Sequence, residues 1–265
     1  MTNFTNQYVP SIGLGTYNMS SAEAEFTTFN ALKHGYRHID TAAVYRNEDG
    51  VAKGLKTFLN DSDLKRENIF ITTKLWPGGL VKVDRIKDYT GTMKSFEKSL
   101  MRLDIDYIDL YLIHSPHGKN KRLEQWRALL DLKESGKIKF IGVSNWGINH
   151  LSELKENDLP MPDANQIELH PWSQKPELVK FLRNENIDII AYSSLVPLST
   201  WRHKDGENSK KTDEMHEIGL SENSPFKILS EKYGVTEAQF LLKWAVQNNY
   251  AVLPKSINIE RIIQN

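Results

Sequence analysis

The sequence predicts an α/β fold, a (β/α)8 TIM barrel, as one domain over residues 1–265. Eight short apolar runs alternate with eight longer runs of helical character. Some short runs, such as YIDLYLI at 107–113 and DIIAY at 188–192, are apolar on both faces, which is typical of strands in a covered parallel sheet. Eight such units in about 250 residues match the usual size of this barrel.

The predicted strands and helices alternate along the chain. The strands are expected at 12–15, 36–40, 69–74, 107–114, 138–143, 164–167, 187–192 and 251–253. The helices are expected at 21–34, 47–59, 84–103, 123–135, 148–156, 175–184, 225–247 and 258–265. Gly35 and Gly136 follow two of these helices, where a residue without Cβ adopts the left-handed cap. Pro176 lies in the first turn of another, where its missing N–H does no harm.

A doubly wound open sheet is the competing architecture. That fold normally carries a glycine-rich phosphate-binding turn after its first strand. The corresponding segment reads GLGTYN at 13–18 and lacks the third glycine, so the barrel is favoured.

A long polar segment after the seventh strand interrupts the alternation. Residues 197–224 contain four basic and six acidic side chains and are predicted to form a loop. Loops of this length in a compact domain are either functional or disordered, and the composition leaves both interpretations open.

The composition excludes several classes of protein. Lys and Arg number 34, as do Asp and Glu, and a net charge of zero argues against nucleic-acid binding through bulk charge. The sequence contains no run of about 18 apolar residues, so it predicts no membrane-spanning helix. The amino-terminal MTNFTNQYVPSIG lacks the features of a secretion signal, and the absence of cysteine excludes disulfides, thiol catalysis and zinc-thiolate sites. We therefore expect a soluble cytoplasmic protein with no nucleic-acid or membrane partner.

Four ionisable residues fall at or near the ends of three consecutive predicted strands. Asp40, Lys74 and His114 each end a strand, and Tyr45 follows Asp40 in the next loop. In a barrel of this kind, the loops at the carboxyl ends of the strands form the reaction site. Each residue alone has an ordinary explanation: a loop cap, a rim lysine, a core histidine or an amphipathic rim tyrosine. Together they form a chemically coherent set.

These four side chains compose a general acid. A phenol has a pKa of about 10 in water. A nearby ammonium is expected to lower that pKa, and a carboxylate beside the ammonium keeps it protonated despite burial. The imidazole orients a substrate oxygen or shares its proton. A carbonyl oxygen that gains negative charge as hydride reaches its carbon needs such an acid, so the set predicts carbonyl reduction with Tyr45 as proton donor.

A catalytic metal is the main alternative on a barrel. His34 and His38 are four residues apart, but Gly35 separates them where the pattern changes from helix to strand. His114 and His117 flank a proline, and no HxH or HExxH motif occurs. The sequence therefore predicts no metal site.

The chain resembles the aldo-keto reductase superfamily over almost its whole length. HIDTAAVYRNE at 38–48 is similar to the family signature around the catalytic Asp and Tyr. ITTKLW at 71–76 and YLIHSP at 111–116 are similar to the segments with the catalytic Lys and His. GLGTY at 13–17, NQIELHPW at 165–172 and the PKS…R pattern at 254–261 resemble further family segments. The resemblance implies a barrel that binds NADPH, with Asp40, Tyr45, Lys74 and His114 as the catalytic residues.

The resemblance also implies which residues bind the cofactor. Tyr192 matches the aromatic residue on which the nicotinamide stacks. Ser144, Asn145 and Gln166 match the residues that hold its carboxamide, and Lys255, Ser256 and Arg261 match the contacts to the adenosine 2′-phosphate. The remaining cofactor residues implied are Gly15, Thr16, Asp40, Ser193, Leu195 and Asn265. A Lys, a hydroxyl and an Arg near a helix N-terminus suit a phosphate dianion, which favours NADPH over NADH.

The expected substrate is a small or planar apolar carbonyl compound. The walls nearest the reacting centre are predicted to be Tyr17, Trp76, His114, Ser115 and Pro116. Ser115 stands where many relatives carry Trp, which removes a large apolar wall, and Val196 stands where Gly is common.

Relatives also usually continue into a tail that closes over the substrate site, whereas this sequence ends at Asn265. Two interpretations follow: an open pocket, or a further segment outside the sequence.

The favoured function is an NADPH-dependent reductase of aldehydes, ketones or dicarbonyls. The first alternative is a redox-sensing module that binds the cofactor with little turnover, and the second is a metal-dependent hydrolase. Family analogy suggests a monomer.

Overall fold

The computed structural model describes residues 8–81, 83–199 and 209–265, in which eight parallel strands follow one another in a single sheet. The strands are β1 (Leu14–Gly15), β2 (His38–Asp40), β3 (Phe70–Leu75), β4 (Ile108–Ile113), β5 (Ile138–Ser144), β6 (Ala164–Glu168), β7 (Asp188–Tyr192) and β8 (Ala251–Val252). The helices are α1 (Ser21–Lys33), α2 (Glu48–Asn60), α3 (Tyr89–Leu103), α4 (Arg122–Glu134), α5 (Ile148–Lys155), α6 (Pro176–Asn184), α7 (Lys210–Gly219), α8 (Pro225–Tyr233), α9 (Glu237–Gln247) and α10 (Ile259–Gln264).

Hydrogen bonds between the first and last strands close the barrel. Ile12, just before β1, pairs in parallel with Val252 of β8. The amide of Gly13 donates to the carbonyl of Val252 at 2.9 Å, and the amide of Gly15 donates to the carbonyl of Pro254 at 3.0 Å. The prediction of a (β/α)8 barrel is therefore confirmed.

Most strand residues are buried whichever face of the sheet they lie on, as their sequences predict, although Lys139 of β5 is exposed. On β4, Leu110 and Leu112 belong to a small cluster inside the barrel, while Tyr111 and Ile113 belong to the larger cluster between the barrel and the helices. This alternation follows from the period of two in a β-strand. Because no face of β4 meets water, its hydrophobic residues form a continuous run.

Two of the predicted helices differ from their observed extents by more than one residue at an end. The single helix predicted at 225–247 is two helices, α8 and α9, because the chain leaves α8 at Gly234 in the left-handed conformation (φ 65°). The helix predicted from residue 84 begins only at Tyr89, and the side chain of Asp88 caps it by accepting from the amide of Gly91 at 2.8 Å. A capping residue inside a helix-like pattern therefore marks the true start.

The segment predicted as a long loop at 197–224 is partly helical. Helix α7 lies within it, and a short 3-10 turn spans Val196–Leu198. Residues 200–208 of this segment lie outside the described residues. The side chain of Ser209 caps α7, so a helix start signal was present in a stretch that composition alone assigned to a loop.

The carboxyl ends of the strands bring polar residues to one rim of the barrel. Asp40 ends β2, Lys74 lies next to the last residue of β3, and His114 directly follows β4. Ser144 ends β5 and Tyr192 ends β7. The parallel register therefore gathers side chains from five strands around one opening.

Candidate active site

A cavity of about 990 Å³ opens at this rim. The predicted site residues that line it are Gly15, Tyr17, Asp40, Tyr45, His114, Ser144, Asn145, Gln166, Tyr192, Ser193, Leu195, Lys255, Ser256, Arg261 and Asn265. Those that do not line it are Thr16, Lys74, Trp76, Ser115 and Pro116. One cavity thus gathers most of the residues that the sequence singled out.

Asp40 and Lys74 form a buried ion pair at the base of the cavity. The ammonium of Lys74 lies 2.5 Å from Oδ1 of Asp40 and also donates to the carbonyl of Thr41 at 2.9 Å. Lys74 is fully buried, and Asp40 is 3% exposed. Burial lowers the pKa of Lys74, and the carboxylate of Asp40 opposes this effect. The pairing keeps a positive charge behind the wall of the cavity, where a lone ammonium would be unstable.

Further bonds fix the orientation of the Asp40 carboxylate and backbone. Gln166 of β6 donates from Nε2 to Oδ2 of Asp40 at 2.8 Å. Thr16 donates both its amide and its hydroxyl to the carbonyl of Asp40, each at 3.0 Å. Thr16 is fully buried. It therefore supports Asp40 from behind and does not line the cavity.

Tyr45 lies on a short 3-10 turn, Ala43–Tyr45, directly above this pair. The ammonium of Lys74 is 5.1 Å from the centroid of the Tyr45 ring. The ring meets that of His114 edge to face at a centroid distance of 5.6 Å, and that of Tyr17 at 5.1 Å. The four predicted catalytic residues therefore form one cluster: Asp40 is bonded to Lys74, and Tyr45 lies between Lys74 and His114.

The pKa of Tyr45 is raised well above its ordinary value of 10, not lowered as the sequence suggested. Burial is the largest cause, and Asp40, Tyr17 and Tyr192 add to it. Lys74 directs its ammonium to Asp40 and Thr41, so its charge is already balanced beside the phenol. Tyr45 therefore keeps its proton at neutral pH.

His114 is held in its neutral form. Burial, together with the nearby charge of Lys74, lowers the pKa of His114 to about 3. Its Nδ1 atom is buried and has no hydrogen-bond partner among the described residues. A neutral imidazole carries one donor and one acceptor nitrogen, so the ring can bind an oxygen without adding charge to the site.

Side chains at the ends of β5 and β7 form a hydrogen-bonded cluster beside His114, to which β6 contributes a backbone carbonyl. Asn145 donates from Nδ2 to the carbonyl of His114 and to Oγ of Ser144, each at 3.0 Å. Ser144 donates to the carbonyl of Gln166 at 2.9 Å, and the hydroxyl of Tyr192 donates to Oδ1 of Asn145 at 2.7 Å. The cluster supplies paired donors and acceptors of the kind that recognise a planar amide.

The other end of the cavity carries positive charge. Lys255 and Arg261 are exposed there, and Ser256 between them is buried. Near β1, a Cβ on Gly15 would lie 2.9 Å from the carbonyl oxygen of Leu253, so only glycine permits this close approach of the two strands. A cavity with a cationic end and an amide-binding end suits an elongated, anionic molecule with an amide.

The predicted substrate residues are only partly gathered at the cavity. Tyr17 lines it and is more than half exposed. The indole of Trp76 does not line the cavity, and its Nε1 donates to Asp84 at 2.7 Å. Its ring still contacts that of His114, at a centroid distance of 5.8 Å. Ser115 is buried against His117, with Oγ 2.9 Å from Nδ1. Pro116 begins a 3-10 helix beyond the wall.

Part of the lining was not anticipated from the sequence. These residues are Asn18, Ser194, Val196, Leu198, Ser199, Thr236, Glu237, Ala238, Leu253, Pro254, Ile257 and Gln264. Thr236 caps α9, and its hydroxyl accepts from the amide of Gln239 while the Gln239 side chain accepts from the amide of Thr236. This T-x-x-Q capping box is visible in the sequence and would have placed a helix start at the cavity.

Two further features bear on the classes of function. Within residues 8–81, 83–199 and 209–265, no group of three or more His, Asp or Glu side chains is arranged to hold a metal ion. In the same part of the chain, no helix has the length and apolar character needed to cross a membrane.

Comparison with known proteins gives a consistent result. A sequence model of the aldo/keto reductase family matches residues 11–265. Glyoxal reductase of Bacillus subtilis is 38% identical over 258 residues, covering 97% of this chain and 82% of that protein. Methylglyoxal reductase of Escherichia coli is 35% identical over 258 residues, with coverage of 97% and 82%.

A solved structure agrees with these sequence matches. The crystal structure of a Bombyx mori aldo-keto reductase in complex with NADP is 31% identical, with a TM-score of 0.81 and coverage of 97% of this chain and 83% of that one. The chain therefore belongs to the aldo/keto reductase family, a family of oxidoreductases that act on carbonyl compounds.

Proposed function

We propose that this protein is an NADPH-dependent reductase of aldehydes, ketones or dicarbonyls in which Tyr45 donates the proton. One observation carries the proposal. A protonated phenol stands in the cavity wall with the ammonium of Lys74 5.1 Å from its ring centroid and the neutral ring of His114 5.6 Å away. Tyr45 and His114 both line the cavity, and Lys74 lies directly behind them.

The residues present fit the cofactor. A nicotinamide carboxamide needs both a donor and an acceptor, and the side chains of Ser144, Asn145 and Gln166, which line the cavity, carry both kinds of group. Tyr192 offers an aromatic surface on the same side of the cavity. When bound, the reduced nicotinamide supplies a hydride to the carbonyl carbon. That a Bombyx mori relative was crystallised with NADP supports this assignment.

Lys255, Ser256 and Arg261 favour NADPH over NADH. All three line the cavity, and two are cations. A phosphate on the adenosine ribose carries about two negative charges and three acceptor oxygens, which such a group binds by charge-assisted hydrogen bonds.

Tyr45 delivers a proton to the carbonyl oxygen as negative charge develops there. The raised pKa of Tyr45 keeps the phenol protonated before the reaction. Loss of the proton leaves a phenolate, and the ammonium of Lys74 stabilises that charge across a short, water-poor distance. The carboxylate of Asp40 holds the ammonium in place and keeps it ionised. The site therefore keeps the phenol protonated until the carbonyl oxygen gains negative charge, and Lys74 limits the cost of the phenolate that forms when the proton moves to that oxygen.

His114 orients the carbonyl oxygen towards Tyr45. Because the pKa of His114 is lowered to about 3, the ring is neutral throughout the physiological range. A neutral ring donates a hydrogen bond without competing with Tyr45 as the acid.

Dicarbonyls are the substrate class that we favour. The relatives named glyoxal reductase and methylglyoxal reductase support it. Tyr45, Tyr17 and His114 surround the reacting end with ring edges and faces, which leaves room for a small planar compound.

Substitution of Tyr45 by Phe tests the proposal. We expect Tyr45→Phe to lower kcat by about 10²- to 10⁴-fold, because it deletes the transferable proton and little else. NADPH consumption is followed with glyoxal, methylglyoxal, an aromatic aldehyde and a sugar aldehyde. Binding is followed by quenching of tryptophan fluorescence, which we expect to stay unchanged.

Tyr233→Phe is the matched control, since Tyr233 is exposed on α8 and does not line the cavity. Unchanged turnover in Tyr45→Phe contradicts the assignment of the acid. Quenching by NADPH without consumption of any carbonyl compound by the unmodified protein would favour a redox-sensing module instead.

A further inference from the structure

Glu48 is a buried acidic residue that the proposed chemistry leaves unused. It begins α2, and only Arg46 and Asn47 separate it from Tyr45. Its side chain is fully shielded from solvent, and it does not line the cavity. Burying an ionised carboxylate is costly unless it is paired and hydrogen-bonded, so its partners indicate its role.

Both carboxylate oxygens of Glu48 are bonded, each to a different element. Thr73 of β3 donates its hydroxyl to Oε1 at 2.6 Å. Arg102 of α3 donates Nε to Oε2 at 2.6 Å, and its Nη2 also reaches Oγ of Ser99 at 3.3 Å. Glu48 therefore joins the start of α2 to the strand that carries Lys74 and to the neighbouring helix.

Thr73 is the direct neighbour of Lys74 on β3. Successive side chains of a strand point to opposite faces, so Thr73 faces the helix layer while Lys74 faces the barrel interior. Both residues are fully buried. The bond between Thr73 and Glu48 therefore holds the chain just after Tyr45 at a fixed position along β3.

The loop that carries Tyr45 is also held at its other end. The amide of Thr41 donates to the carbonyl of Thr72 on β3 at 2.9 Å, and the ammonium of Lys74 donates to the carbonyl of Thr41 at 2.9 Å. Within the loop, the hydroxyl of Thr41 donates to Oδ1 of Asn47 at 2.8 Å. The loop is thus bonded to β3 both before and after Tyr45.

Several charged and titratable groups face this bond network. Arg102 from α3 balances the charge of Glu48, and Glu48 adds to the burial that raises the pKa of Tyr111 on β4. Lys74 is faced by Asp40 from β2 and by His114 after β4. Burial lowers the pKa of Lys74, and the negative charges of Asp40 and Glu48 both raise it.

We infer that Glu48 is a positioning residue: through Thr73 and Arg102 it fixes the loop that carries Tyr45 against the strand that carries Lys74. The inference rests on the proposed role of Tyr45 as proton donor. A positioning role predicts a loss in kcat with cofactor binding intact. A merely structural role predicts lower stability with an unchanged kcat and pH profile for the folded fraction.

Glu48→Gln tests the inference, because Gln keeps the shape and the bond from Thr73 but loses the charge opposite Arg102. We expect kcat to fall about tenfold, since small displacements of reacting groups are costly. The KM for the carbonyl compound and the dissociation constant of NADPH should change less than twofold. The alkaline limb of kcat should move to lower pH, because Lys74 loses a charge that raises its pKa.

Two further variants separate charge from geometry. Thr73→Val removes one bond and no charge, so kcat should fall without a shift of the alkaline limb. Glu48→Asp keeps the charge on a shorter side chain, so the limb should stay near its original position while kcat remains low. Glu97→Gln is the matched control, because Glu97 forms an exposed ion pair with Lys137 at 2.6 Å on the outside of the barrel.

The outcomes distinguish this inference from the function on which it rests. Wild-type kcat and pH profile in Glu48→Gln, with Tyr45→Phe inactive, overturn the role of Glu48 alone. Full turnover in Tyr45→Phe overturns the proposed function as well. If Glu48→Gln does not fold, Thr73→Val decides: a lower kcat with unchanged NADPH binding supports the inference, and an unchanged kcat overturns it.

Discussion

The two ends of the cavity are built in opposite ways. At the reacting end, Lys74, Asp40 and Gln166 are 0%, 3% and 3% exposed and are bonded to one another across strands. At the opposite end, the proposed nucleotide end, Lys255 and Arg261 are exposed, and neither side chain makes a hydrogen bond to another described residue. The first group lies within the barrel, and the second lies after β8 and on α10.

This difference shows which charges are already paired and desolvated before any ligand binds, and which are not. At the reacting end, the charges are already paired and desolvated, so little reorganisation is needed when charge moves in the reaction. At the nucleotide end, the two cations are exposed to solvent and available to pair with an anion. Substitutions at the first end should therefore change kcat, and those at the second end should change cofactor affinity.

The largest effect is expected from breaking the buried ion pair at the reacting end. Lys74→Met should lower kcat by about 10²- to 10⁴-fold, because the phenolate of Tyr45 loses its stabilising charge. It should also lower the free energy of unfolding by about 3–5 kcal/mol, because Asp40 is left buried and unpaired. Steady-state kinetics and urea denaturation measure the two effects.

A double variant separates chemistry from stability in that experiment. Lys74→Met with Asp40→Asn should recover much of the lost free energy of unfolding but none of the turnover. Lys137→Met is the control, since Lys137 pairs with Glu97 at the surface, where both are about half exposed. Recovered turnover in the double variant would contradict the role assigned to the charge of Lys74.

The reacting end is also the part of the site that sequence reasoning anticipated best. A polar residue that ends an apolar run must emerge at the carboxyl edge of a parallel strand, so Asp40, Lys74 and His114 follow from the strand pattern itself. Asp40 and Lys74 are on the neighbouring strands β2 and β3, whose adjacency the order of elements already fixes, whereas the bond from Gln166 on β6 to Asp40 depends on closure of the barrel. The family resemblance assigned roles to residues that this pattern had already gathered.

Side-chain direction and burial were harder to anticipate. Trp76 follows β3, but its indole is held by Asp84, which the pattern assigned to a helix. The sign of the pKa shift of Tyr45 depends on how much water surrounds it, and no spacing in the sequence reports that quantity. Helix α7 was missed because a polar, mixed-charge stretch resembles both an exposed helix and a loop.

A smaller effect is expected at the nucleotide end. Arg261→Ala should raise the KM for NADPH by about tenfold to a hundredfold, the range of one charge-assisted hydrogen bond to a phosphate. The kcat at saturating NADPH should change little, and the KM for NADH should stay the same because NADH lacks the 2′-phosphate. Arg127→Ala on the outer face of α4 is the matched control. An equal rise in KM for both cofactors would assign Arg261 to another part of the nucleotide.

The smallest effect is expected where the two ends meet. Tyr192 lines the cavity, and its hydroxyl donates to Oδ1 of Asn145 at 2.7 Å. Tyr192→Phe keeps the aromatic ring and removes this bond, which is worth about 0.5–1.5 kcal/mol when neither partner is charged. This free energy corresponds to about a two- to tenfold change in a binding constant. We therefore expect the KM for NADPH to rise by about that factor, with kcat unchanged. A fall in kcat larger than the rise in KM would contradict this expectation. It would mean that Asn145, through its bond to the carbonyl of His114, acts at the reacting end of the cavity and not at the nucleotide end.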